Sequence, residues 1–269
     1  MKNRFYVISG KGGVGKTIFS LSLALNLLSK GKKVLYKHFD QEPNEQLCNS
    51  LGIPYIKLTE EECLKSYINK KLNSKIIGNW VVKAPFFSSL FNILPGLKNL
   101  VYLGYIINRL KEDPDLIIVL DSPSSGHALT LLESPGNFRE ILKTGPLVKD
   151  IDEIENLLQD LVFTKIFILF LPSSLAFHEA VELREGIINL KFVEPEMIMN
   201  SSFLKMPDLG GDTPSFLREK FVIENLVLNE YQEKFGTLKK IIPHIPKTDK
   251  TALIKELNSI IKRDFNDKR

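Results

Sequence analysis

The stretch G-K-G-G-V-G-K-T (10–17) follows directly on the apolar run F-Y-V-I-S (5–9). Gly10, Gly15, Lys16 and Thr17 fit the spacing G-x-x-x-x-G-K-[ST], set between an apolar strand and an amphipathic helix as that pattern requires. In such a loop the backbone N–H groups wrap phosphate oxygens, and the helix N-terminus adds favourable partial charge. Gly12, Gly13, Val14 and Ile18 complete the expected cradle. Lys16 would reach the β- and γ-phosphates of ATP, or the β-phosphate of ADP, and the Thr17 hydroxyl would ligate Mg2+. One lysine suffices for that cradle. The stretch carries a second, Lys11, which the phosphate pattern does not explain.

Outward from the loop, K-T-I-F-S-L-S-L-A-L-N-L-L-S-K (16–30) has apolar residues at helical spacing, with Gly31 placed to end it. Continuous apolar runs recur at 33–39, 116–120, 165–171, 196–200 and 240–244. Runs of this kind suit parallel strands covered on both faces. The expectation is one α/β domain over 1–269, with a mostly parallel central sheet flanked by helices. The gap from Phe39 to Leu116 exceeds a single crossover, which with its strands takes about 30 residues. An inserted helical lobe is therefore expected at about 55–112, and a shorter insertion at about 132–160. Pro95-Gly96 splits the apolar middle of the lobe, 84–110.

The 269 residues are 43% hydrophobic and 25% charged, enough for a large core and against wholesale disorder. A net charge of +4 from 36 basic and 32 acidic side chains gives no argument for nucleic acid. Cys48 and Cys63 have no ligand-spaced partners, which fits a reduced cytoplasmic setting rather than a zinc site. The N-terminus lacks the apolar length of a signal peptide. No stretch reaches about 18 uninterrupted apolar residues, so no spanning helix is expected.

Two further groups bear carboxylates. Asp121 follows L-I-I-V-L (116–120), where an acid at a strand tip approaches the Mg2+ water shell. Asp40 and Glu42, in H-F-D-Q-E-P-N (38–44), belong to the same carboxyl edge and could orient an attacking water.

G-K-G-G-V-G-K-T with its extra Lys11 resembles the deviant Walker A loop of the septum-positioning, plasmid-partition, nitrogenase-iron-protein and arsenite-pump group. D-S-P-S-S-G-H-A-L (121–129) resembles switch II of the branch holding the arsenite-pump and tail-anchored-protein-targeting ATPases. Within it the chain is most similar to bacterial anion-transporting ATPases. P-G-L-K-N-L (95–100), L-L-E-S-P (131–135), G-P-L-V-K-D (145–150) and L-P-S-S-L-A-F-H-E-A (171–180) extend the similarity over nearly the whole chain.

The resemblance implies that Lys11 is a signature lysine reaching across a dimer to the partner's nucleotide. It implies that Asn200 reads adenine, that Pro243 covers the base, and that Asp121, Ser122, Pro123, Gly126 and His127 form switch II. Three departures stand out. Glu42 replaces the family's aspartate before Pro43, P-S-S (172–174) lacks an expected acid, and the C-x-x-C of the eukaryotic targeting factors is absent.

The implied function is a Mg2+-dependent ATP-binding and ATP-hydrolysing switch, active as a homodimer or with a related subunit. Phe86, Phe87, Leu90, Phe91, Ile93 and Leu94 would line a groove for an apolar client or partner protein, or else pack the lobe's own core. A weakly hydrolysing nucleotide-binding scaffold is the alternative that Glu42 and P-S-S favour. A membrane- or DNA-positioning ATPase is a third, because the basic amphipathic segment 251–265 could lie peripherally on a membrane.

Overall fold

The computed structural model describes residues 3–39, 44–57, 62–63, 66, 96–141, 146–204 and 214–264. Asp40, Glu42 and the six apolar residues assigned to a client groove lie outside the described residues.

All six apolar runs are strands: β1 Phe5–Gly10, β2 Lys33–His38, β3 Leu116–Asp121, β4 Thr164–Phe170, β5 Glu196–Ser202 and β6 Ile241–Pro243. They form one sheet in the order β2-β3-β1-β4-β5-β6, and every described pairing is parallel. The α/β expectation of a parallel sheet flanked by helices holds.

The continuity of the runs has a simple cause, because successive residues enter different cores. Ile118 and Leu120 pack on one face of the sheet, Ile117 and Val119 on the other. The first face carries α3 (Leu97–Glu112), α4 (Ser125–Ile141), α5 (Pro146–Gln159), α6 (Ser174–Asn189) and α7 (Ser215–Phe235). The second carries α1 (Lys16–Ser29), α2 (Glu45–Ser50) and α8 (Lys250–Asp264). Gly31, at φ 71°, ends the first helix where the sequence placed a stop.

Helix α4 is already formed at Ser125, before the expected insertion boundary near Leu132, and it runs through Pro135. Proline has no N–H for the carbonyl four residues back. That carbonyl belongs to Leu131, and the Ser134 hydroxyl donates to it at 2.7 Å, which lets the helix continue.

The amphipathic α8 uses its apolar face inside the fold. Ile254, Leu257, Ile260 and Ile261 are buried in the second core. Ser22 donates to the Ile254 carbonyl (3.2 Å) and Asn26 donates to Asn258 (3.2 Å), tying α8 to α1. The face that a membrane would need is thereby covered. Ile254→Ala should cost about 2–5 kcal/mol of stability in urea titration. An unchanged midpoint would mean that α8 is not docked on α1 in solution.

Candidate functional site

A parallel sheet turns all its carboxyl ends one way, and ligands of open α/β sheets bind there. The loop after β1, the tip of β3 and the end of β2 meet at that edge. Ile8 and His38 both stand in register with Asp121. Asn200 on β5 and Pro243 on β6 end at the same edge.

Glycine is required in the loop by close approach. A Cβ on Gly10 would lie 2.3 Å from the Leu169 carbonyl oxygen, and one on Gly15 would lie 2.5 Å from the Asn200 amide nitrogen. Both residues also have positive φ, 140° and 92°. Gly15 then opens α1 from a left-handed conformation, so its N–H and those after it face outward at the helix start. Asn200 Nδ2 donates to the Val14 carbonyl at 2.8 Å and holds the loop from β5.

Lys16 folds over its own loop, its ammonium donating to the carbonyls of Gly10 and Lys11, each at 3.0 Å. Thr17 Oγ1 donates to Asp121 Oδ2 at 2.6 Å. Asp121 is fully buried. Its Oδ2 also accepts from the Tyr36 hydroxyl (3.0 Å) and faces His38 Nε2 at 3.5 Å, whereas Oδ1 has no hydrogen-bond partner.

Burial is the largest influence on Asp121 and raises its pKa. The Thr17 hydrogen bond, the His38 charge, the Tyr36 hydrogen bond and the Lys16 charge oppose it. Burial, with the Asp121 charge second, pushes the Tyr36 phenol far up and keeps it a neutral donor.

Lys11 takes a separate path. Its Nζ pairs with Glu179 Oε1 of α6 at 2.5 Å, and the other Glu179 oxygen is buried without a hydrogen-bond partner. Ser173, in the P-S-S segment, caps α6 through the Ala176 N–H at 3.4 Å, so the nearby acid comes from the next turns of the helix. Of the residues expected to form switch II, Ser122 and Pro123 are buried, while Gly126 and His127 are exposed at the start of α4. Beside the loop lies a cavity of about 270 Å³ walled by Gly15, Ile18, Asn200, Pro243, His244 and Ile245.

The structure therefore gathers residues 10–18, Asp121, Asn200 and Pro243 around one edge. Tyr36, His38 and Glu179 also stand at this edge, and the sequence alone assigns them no role. Only the topology reveals them: β2 beside β3 brings Tyr36 and His38 to Asp121, and β4 beside β1 brings α6 to Lys11.

Fold and loop together define a P-loop nucleotide-binding protein. The model of the anion-transporting ATPase family matches residues 3–146, more than half of the chain, and the chain belongs to that family. Among its relatives is a putative arsenical pump-driving ATPase 1 of Aquifex aeolicus, 27% identical over 54% of this chain and 42% of that protein. ATPase BagA of Mycobacterium tuberculosis is 24% identical over 73% of this chain and 64% of its own length. A putative arsenical pump-driving ATPase 2 of Aquifex aeolicus is 24% identical over 90% of this chain and 93% of its own. The chain thus spans less than two thirds of the first two relatives. Among the described residues no helix is long and apolar enough to cross a membrane.

The donor set fits Mg2+: a hydroxyl and a buried carboxylate, both hard oxygen donors, with Oδ1 lacking a partner. The sign of the Asp121 shift sets a test. A carboxyl whose folded-state pKa lies above its ordinary value contributes stability that is complete at low pH and is lost as the pH rises through the raised value. Asp121→Asn should therefore hold or raise the melting temperature at neutral pH in EDTA without nucleotide. The same variant should lose the extra stabilisation that Mg2+ gives in the presence of ATP. A large fall in the EDTA melting temperature would contradict this account of the site.

Proposed function

We propose that the chain is a Mg2+-dependent ATP-binding and ATP-hydrolysing switch that works as a pair, with itself or with a related subunit. The observation that carries this reading is the Thr17–Asp121 contact directly behind the phosphate loop, with a buried carboxylate oxygen left over.

In this reading the N–H groups of residues 10–18 bind the phosphates and Asn200 and Pro243 hold the base. Lys16 exchanges the Gly10 and Lys11 carbonyls for phosphate oxygens. Thr17 and Asp121 would hold Mg2+, which when bound neutralises charge on the β- and γ-phosphates. Asp40 and Glu42, after β2, would orient the attacking water. Misplacement by about 1 Å costs such a step heavily, and Glu42 is one methylene longer than aspartate, so slow turnover is expected, below about 1 per second. The same feature supports the second reading, a weakly hydrolysing scaffold or one member of an unequal pair.

Lys11 is redundant for the phosphates of its own chain, which Lys16 serves. Across a two-fold axis it can meet a partner's phosphates and offset charge that grows during transfer. Its pairing with Glu179 supports a resting state in which that reach is restrained, and pairing of two chains would exchange Glu179 for the partner's nucleotide. The apolar lobe at about 55–112 would then couple nucleotide state to an apolar client or partner protein. The buried thiols of Cys48 and Cys63 support a reducing cytoplasmic setting.

Lys11→Ala should still bind ATP but lose ATP-dependent dimerisation and turnover. Glu179→Gln should dimerise at lower ATP concentration than the wild type. Dimer mass and phosphate release, measured on the three proteins with ATP and Mg2+, check both outcomes. A Lys11→Ala protein that pairs and hydrolyses normally would overturn the paired mechanism.

A further inference from the structure

Near the end of β5 the chain leaves regular strand geometry. Ser201 has φ 60°, a left-handed conformation that a residue with a side chain rarely adopts, and the pairing of β5 with β6 shifts register between Met199 and Ser202. Amide groups beyond the shift need an acceptor outside the regular ladder. Glu224, at the middle of α7 and fully buried, supplies it. Its carboxylate accepts from the Ser202 hydroxyl (2.7 Å), from the Phe203 N–H (2.9 and 3.1 Å) and from the Leu204 N–H (3.2 Å). A buried carboxylate persists only when it is compensated in this way, so carboxylate and turn fix each other.

That turn in turn holds His244. The His244 N–H donates to the Ser202 carbonyl at 2.8 Å, its Nδ1 lies 2.9 Å from Ser201 Oγ, and its ring stacks on Phe203 at 4.6 Å and 21°. His244 lines the cavity beside the phosphate loop, as does Asn200, two residues before Ser202.

We propose that Glu224 is a positioning residue for the nucleotide base. By fixing the turn 202–204 from α7, it sets the Asn200–His244 side of the cavity and hence the grip on, and choice of, the purine. The inference rests on the nucleotide-binding reading above. Glu224 touches none of the phosphate-side groups, because the contacts of Lys16, Thr17 and Asp121 come from β1, α1 and β3, and its one link to the loop runs through the Asn200–Val14 hydrogen bond.

The test is calorimetric titration of wild type and Glu224→Gln with ATP, GTP and inorganic tripolyphosphate. Glutamine turns an N–H2 group toward N–H donors, so ATP affinity should fall about tenfold. The ATP-to-GTP preference should shrink, and tripolyphosphate affinity should stay unchanged. Glu224→Asp should recover part of the loss. Equal losses for ATP and tripolyphosphate would reduce Glu224 to a structural residue and overturn the proposal, as would an unchanged ATP affinity. Wild-type protein that binds ATP no better than tripolyphosphate would instead remove the base cavity itself, and this inference with it. Should Glu224→Gln fail to fold, Ser202→Ala decides. It removes one donor to the same carboxylate and should weaken ATP about threefold with tripolyphosphate unchanged, and an unaltered ratio would overturn the proposal.

Discussion

The buried Asp121 carboxylate is the constraint on which the site depends. An acid with no exposed surface is costly unless its surroundings compensate it. Here Thr17, Tyr36 and His38 gather on one oxygen and leave the other without a partner. The sheet order makes this gathering unavoidable, since β3 sits between β1 and β2 and its last residue is flanked by both strands and by the first turn of α1. In the proposed function a divalent cation would balance this carboxylate, with Thr17 and Asp121 as the residues that would hold it.

Three contacts describe the resting arrangement. Thr17 is spent on Asp121, Lys16 on the carbonyls of its own loop, and Lys11 on Glu179. Each is a polar group serving a neighbour of the same chain where a phosphate nucleotide would serve it better. In the proposed function, exchange of all three would link nucleotide occupancy to α1 and α6, and through α6 to the surface around Lys11.

Much of this was legible in the sequence. The six strands follow from the apolar runs, because a strand buried on both faces has no reason to alternate. The loop glycines, Lys16 and Thr17 were legible from their spacing, and Asp121 from its place at the tip of an apolar run, and the fold brings them to one edge. Tyr36, His38, Glu179 and Glu224 were not legible. Each acts across distant parts of the chain, and a lone glutamate on a helix looks the same whether it faces water or grips a strand end. Glu224 in particular answers a backbone irregularity at Ser201 that no residue pattern announces. Helix α4 running through Pro135 was not legible either, because only the fold shows Ser134 satisfying the Leu131 carbonyl. The basic amphipathic segment at the end of the chain reads equally as a membrane helix or a docked one, and only its packing on α1 separates the two.

A crystal structure with a non-hydrolysable ATP analogue and Mg2+ tests the central claim most directly. The account predicts that Thr17 Oγ1 has left Asp121, that Lys16 Nζ has left the Gly10 and Lys11 carbonyls, and that Lys11 has left Glu179 for a second chain's nucleotide. A nucleotide bound elsewhere, with all three contacts intact, would contradict it.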